Sequence, residues 1–405
     1  MSEIKRKLFA ILQISSLFPA IAVLLLPQGD KVVGVQPFHL VLALALPFML
    51  IGATLRVRLR TLLWVLIFIF FSILSILFSP GELPMPLVGT TNLSPIGQFF
   101  YWLVAMITLL VFQSYALSSK NTVAKDWRPF ILGAFVVSLI GFYQIAAYYF
   151  GLYYPADWFN NNPSFLQRYG DTIWGIKRLT STFPEASMYG LCSTGALFIS
   201  LAFRGKWWGF VRLVILSSSI LTLSTTAFLG IAMFFVWLSI SYFRRLRYPY
   251  QKALFMLSMS AATIPLFFGL YMVLTSKANS ESGFERYSSF VSGTALWLQS
   301  PLIGWGLGSG RTTDGLSNLL LNFGLIGTLL LLVIILDSFF VKMPTGCTPL
   351  KSLKAGLVAI GVLHLASNSD WIFPYFWMLL GYISGKVKAG DLRESSDGKV
   401  RSRVG

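Results

Sequence analysis

The sequence predicts an all-α, polytopic integral membrane protein of about twelve transmembrane helices, with two large loops on one side. Three observations predict it. Apolar residues make up 55% of the 405 residues and charged residues 12%, about half the charge of an ordinary soluble domain. Apolar runs of roughly 20 residues, each enough to cross ~30 Å of hydrocarbon as a helix, recur along the chain. The lysines and arginines behind a net charge of +17 gather in alternate loops.

The chain opens with "MSEIKRKLFAILQISSLFPAIAVLLLP", a basic start and then an apolar run. No small-x-small cleavage site precedes Pro27, so the stretch reads as an uncleaved first span. Spans are expected near 8–27, 33–55, 61–79, 96–117, 130–152, 184–203, 210–224, 226–243, 253–275, 315–341, 353–369 and 371–385. A tight "LSTT" turn joins the seventh and eighth, and the short last two meet at "SNSD". Residues 1–385 thus form one transmembrane domain with large loops at 153–183 and 276–314. The charged tail, 386–405, has too little apolar surface to pack and is expected to be disordered.

Alternating the spans sorts the cations. One set of loops holds Lys5, Arg6, Lys7, Arg56, Arg58, Arg60, Lys120, Lys125, Arg128, Arg204, Lys206 and Arg212. It continues through Arg244, Arg245, Arg247, Lys252, Lys342, Lys351, Lys354 and six tail cations, 25 of the 32 in all. The positive-inside rule makes that set cytoplasmic, with both termini inside. Nucleic-acid binding is excluded as an explanation of the charge, since no basic segment is interleaved with stacking aromatics. Cys192 and Cys347 form no metal or redox spacing, and His39 and His364 are isolated. Neither a metal site nor a cofactor is expected.

Only Lys31, Arg168, Lys177, Arg178, Lys277, Arg286 and Arg311 lie on the other side. These oppose the charge bias, and all but Lys31 fall on the two large loops. Guanidinium groups make bidentate, charge-assisted contacts to phosphate oxygens, so Arg178, Arg286 and Arg311 together suggest anion capture. The plainer reading pairs Arg178 with Asp171 or Glu185 to tie the loop down. Glu185 follows Pro184 at the start of the sixth span, where a carboxylate complements the helix dipole. Set beside apolar span residues, it would also have its pKa raised toward acid–base use or bind a sugar hydroxyl.

"FERYSSFVSGTALWLQS" spaces Phe284, Tyr287, Val291, Ala295 and Leu298 at helical steps, as in a helix lying flat in the outer interface or a packed lid. "LIGWGLGSGRTTDG" follows, with Gly304, Gly306, Gly308 and Gly310 at alternate positions. It lacks a nucleotide-binding spacing. Alternating glycines form either an amide nest for an anion beside Arg311 or a flexible turn.

"RLTSTFPEASMYG", followed by an apolar span, resembles an element of bacterial O-antigen and exopolysaccharide polymerases. "ILTLSTTAFLGIAMFF" is similar to their paired spans, with Thr226 where an arginine is common. "ALWLQSPLIGWGLGSG" and "SNLLLNFGLIGTLLLL" resemble their second periplasmic loop and the span after it. The resemblance, to the Wzy-type polymerases related to O-antigen ligases, covers roughly residues 95–345. It implies a GT-C-like fold in the bacterial inner membrane and an active site facing the periplasm. The implied substrate is an undecaprenyl-diphosphate-linked glycan, and a chain-length regulator is an implied partner. By resemblance Arg178 and one of Arg286 or Arg311 grip the diphosphate, with Glu185 or Asp171 as acid–base group. Lys177, Arg168, Trp174, Gly306 and Gly308 are the further substrate contacts expected. Ligases commonly carry a His–Asn pair where Ser317–Asn318 stands here, which favours a polymerase and leaves the general base unassigned. A ligase acting on lipid A core or protein is the nearest alternative, and a lipid-linked oligosaccharide flippase or transporter is the alternative of another class.

Overall fold

The computed structural model describes residues 2–28, 31–51, 56–79, 83, 94–159, 161–162, 172–173, 175–255, 257, 275, 281–340, 348–367 and 371–386. Helix α1, Ser2–Ser15, stops short of Pro19. The run between Pro19 and Pro27 is too short for a spanning helix, because each proline removes an amide that a helix would need. It forms strand β1, Leu24–Gln28, paired antiparallel with β2, Lys31–Val35, in the register Leu24↔Val35 and Gln28↔Lys31. The β-branched "KVVGV" suits that pairing. The first expected span is therefore a 14-residue helix and half a hairpin, and the second is the 15-residue α2, Pro37–Ile51.

The next three spans stand near the positions expected, as α3 (Leu59–Leu77), α4 (Pro95–Ser118) and α5 (Val123–Phe150). Ser94 and Thr122 cap α4 and α5 by accepting from Gly97 N at 3.3 Å and Lys125 N at 3.4 Å. Beyond α5 come α6 (Ala156–Phe159) and a two-stranded ribbon, β3 (Thr172–Ile173) with β4 (Ile176–Lys177). Then follow α7 (Ala186–Ser200), α8 (Lys206–Ile220) and α9 (Thr225–Phe243). The chain continues with α10 (Glu281–Gln299), α11 (Gly315–Phe339), α12 (Thr348–Ser367) and α13 at 374–386.

Helices dominate, as expected, but twelve spans do not appear among the described residues. Six helices are long and apolar enough to cross a membrane: α3, α4, α5, α9, α11 and, within α12, Pro349–Ala366. Helices α7 and α8 have 15 residues each, a rise of about 22 Å at 1.5 Å per residue. Most of the ninth expected span, 253–275, lies outside the described residues, as does nearly all of the tail.

Every residue of α7 is buried. Small side chains make this possible: a Cβ on Gly190 would stand 2.7 Å from Ala227 Cβ of α9, and one on Gly195 would meet Ile360 of α12 at 2.8 Å. Close backbone approach of this kind is how helices associate where lipid supplies no hydrophobic drive.

Among the described residues, the two loop sets occupy opposite ends. At one end Asp337 pairs with Arg60 at 2.9 Å and Arg58 at 3.7 Å, while Lys386 reaches Asp126 at 3.4 Å. At the other, Leu179 N donates to Leu221 O, Thr182 Oγ1 to Leu17 O, and Trp371 Nε1 to Gly315 O. That sorting is what alternating helices require.

Candidate functional site

The polar stretch between β4 and α7 runs inside the helical body, where each backbone amide needs a partner. Gln144, buried in α5, supplies two. Its Oε1 accepts from Thr180 N at 3.0 Å and Ser181 N at 2.9 Å, and its Nε2 donates to Thr180 Oγ1 at 2.9 Å. Ser181 Oγ donates to Val137 O at 2.5 Å, and Thr182 Oγ1 to Leu17 O at 2.6 Å. Ser181 takes φ +55°, uncommon for a residue with a Cβ. Phe183 then packs on Tyr189, ring centroids 5.6 Å apart. A loop so over-determined holds its two ends, Arg178 and Glu185, in fixed places.

Half-buried Arg178 donates from Nε to the Thr222 carbonyl at 3.1 Å, and Leu179 N bonds Leu221 O at 3.0 Å. The loop thus lies along the α8–α9 turn, the expected "LSTT" connection. Leu223 in that turn has φ +48°, the second such non-glycine residue among those described. Residues held in such conformations cluster at functional sites, and here one lies on each side of the contact between the loop and the turn. Glu185 is the N-cap residue of α7 but makes no side-chain capping bond; its Oε2 accepts from Ser187 Oγ at 3.0 Å. It is exposed, so the apolar setting expected for it is missing.

Arg286 comes from α10, about a hundred residues away. Phe284, Tyr287 and Leu298 are 65–68% exposed on that helix, whereas Ser289 and Leu296 are fully buried. The apolar stripe therefore faces outward, as for a helix in a lipid interface, and the stripe holding Ser289 and Gly293 faces in. Ser289 Oγ accepts from Thr313 N at 3.1 Å, and a Cβ on Gly293 would sit 2.5 Å from Thr312 Cγ2. Arg286, one turn before Ser289, is carried to the same side. Burial pushes its guanidinium below its usual range, Glu185 opposes that, and Arg178 adds to it. Three of the four expected catalytic residues therefore share one electrostatic environment. Glu185 offsets part of the cost of burying Arg286, and Arg178 takes back some of that relief. A partly desolvated cation gains from the approach of an anion.

Arg311 is half-buried and leaves the same seam, two residues before Thr313. The glycines before it are packed rather than flexible. Gly304, Gly306 and Gly308 all have positive φ. Their segment inserts into a break in α11 at Gly324, where φ is +61° and ψ −166°. Trp305 N takes the Leu321 carbonyl at 2.7 Å, while Leu325 N and Ile326 N donate to Pro301 O and Leu302 O. Leu307 N and Gly308 N donate to Ser75 Oγ and Asn322 Oδ1. These amides are engaged by α3 and by the broken α11, so the segment acts as a plug that fixes where Arg311 emerges.

Lys177 is fully buried, with Nζ 5.7 Å from the Tyr148 ring centroid and its amide on Tyr149 Oη at 2.9 Å. Arg168, Asp171 and Trp174 lie outside the described residues. The sequence reading overlooked Gln144, Thr222 and Ser187. Of these only Gln144 carries a signal, a lone amide in the apolar run "SLIGFYQIAAYYF".

No family model, curated protein or solved structure matches this chain.

Proposed function

We propose that this protein is a bacterial inner-membrane glycosyltransferase of the Wzy type, polymerising undecaprenyl-diphosphate-linked oligosaccharides at the periplasmic face. The observation that carries the reading is the convergence of Arg178, Glu185 and Arg286, taken from two distant loops to one end of the helical body. The acceptor hydroxyl attacks the anomeric carbon of a lipid-linked donor, forming the new glycosidic bond. The bond from that carbon to the diphosphate oxygen breaks, and its electron pair leaves with undecaprenyl diphosphate. Negative charge grows on the leaving group, and Arg178 and Arg286 are preorganised to meet it. The acceptor proton passes to Glu185, whose exposed carboxylate leaves room for a sugar. The apolar outer stripe of α10 suits a donor that approaches from the lipid.

A ligase differs only in acceptor, and no observation here favours one. A transporter calls for charge midway across the membrane. The buried carboxylates Asp126 and Asp337 stand near the ends of α5 and α11 and are ion-paired. In a strain lacking the gene, wild type restores a ladder of long glycan. Arg178→Ala leaves single repeats although the protein inserts normally. Normal long-chain glycan from that variant refutes the assignment.

A further inference from the structure

At the opposite end of the molecule, α1 and α5 run side by side in the same direction and leave a groove of about 610 Å³ between them, within the ~300–1,000 Å³ typical of ligand sites. Its lining is divided along its length. Arg6, Lys7, Lys125 and Arg128 stand at the mouth, in the first two turns of the two helices. Below them Ala10, Ile14 and Phe18 face Leu132, Gly133 and Val136. Ile14 and Val136 are 41% and 49% exposed, so the apolar length opens sideways toward lipid. Gly133 sets the close approach, since a Cβ there would lie 2.7 Å from Leu17 Cδ1.

The mouth keeps its positive charge. Lys7 pairs with exposed Glu3 at 3.2 Å, and no carboxylate among the described residues pairs with Arg6, Lys125 or Arg128. Asp126 also lines the groove, but its carboxylate is occupied. It accepts from Tyr115 Oη at 2.9 Å, Tyr382 Oη at 2.8 Å, Ser119 Oγ and Asn121 Nδ2, and it pairs with Lys386. Several cations above a chain-wide apolar channel, at one end of a helical body, match an anionic headgroup joined to an acyl tail.

We infer that this groove is a binding site for an anionic phospholipid of the bilayer. Its phosphate sits among Arg6, Lys125 and Arg128, and one acyl chain lies along Ile14 and Val136. The inference is independent of the glycosyl-transfer reading. It also assigns part of the basic charge a second role besides orienting the helices.

Full-length protein, delipidated in neutral detergent, is titrated with phosphatidylglycerol or phosphatidylcholine and followed by native mass spectrometry. Phosphatidylglycerol is expected to bind at least ~10-fold more tightly. The Arg6→Gln/Lys125→Gln/Arg128→Gln variant should lose most of that preference, since each interfacial cation contributes roughly fivefold. The matched variant Arg244→Gln/Arg245→Gln/Arg247→Gln should keep it, and both should retain the wild-type melting temperature. Should the groove variant not fold, Arg6→Lys/Arg128→Lys, which keeps the charge, must preserve binding, while Val136→Trp in the channel must weaken it. Equal binding of the two lipids, equal loss in both triple variants, or full competition by millimolar inorganic phosphate overturns the assignment.

Discussion

Exchange of Arg286 for alanine removes a guanidinium that burial already disfavours, so it spares the fold while depriving a developing anion of its partner. Loss of one preorganised donor costs about 10²–10³ in turnover. Arg286→Ala should therefore lower the rate of glycan transfer by that factor in membranes, with an unchanged melting temperature. A rate within twofold of wild type contradicts a role in charge stabilisation. Glu185→Gln keeps the Ser187 contact and the shape of the loop but cannot accept a proton. A loss of about 10²–10⁴ in rate is expected, in line with general acid–base contributions, and Glu185→Asp should recover part of it. Full activity in Glu185→Gln would pass the base role to another group. Arg178 and Arg286 were legible as residues because they defy the charge bias of their loops. Their convergence was not, since it depends on α10 turning its polar stripe inward.

Two elements hold these side chains still. Gln144 binds the 178–185 loop from below, and Gln144→Leu strands the buried amides of Thr180 and Ser181, at about 1–3 kcal/mol each. A fall in melting temperature accompanied by lost transfer is expected. A stable, inactive protein would point to a direct catalytic part for the amide. The break in α11 makes a second prediction. Gly324→Ala puts a Cβ at φ +61° and 2.4 Å from Gly304 N. Holding a residue with a Cβ in that glycine-only backbone region costs about 1–3 kcal/mol, so a lowered melting temperature is expected, whereas Gly209→Ala, in open space within α8, should not lower it. Neither device announces itself in the sequence. One glycine in "LLLNFGLIGTLLLL" reads as part of an apolar run, and the run before Pro27 reads as helix although it pairs as a strand.

Across the whole molecule, apolar run length was enough to locate α3, α4, α5, α9 and α11, because crossing a membrane fixes how long a helix must be. Buried helices escape that rule, which is why α7, wholly enclosed at 15 residues, was expected to be longer. Alternation of the helices puts exposed Ile176 and exposed Lys120 at opposite ends. With Cys192 and Cys347 replaced by serine, Ile176→Cys should react with an impermeant thiol reagent from the periplasm, and Lys120→Cys only after the membrane is opened. The reverse pattern would turn the arginine site toward the cytoplasm, away from an exported lipid-linked glycan.

Glycosyl transfer at this site is tested most directly with purified protein in liposomes that contain undecaprenyl-diphosphate-linked oligosaccharide. Glycan length and free undecaprenyl diphosphate are followed together. Wild-type protein should lengthen the glycan and release one lipid diphosphate per bond formed, and Arg178→Ala should do neither. Unchanged donor with wild-type protein, or equal turnover by both proteins, would contradict it.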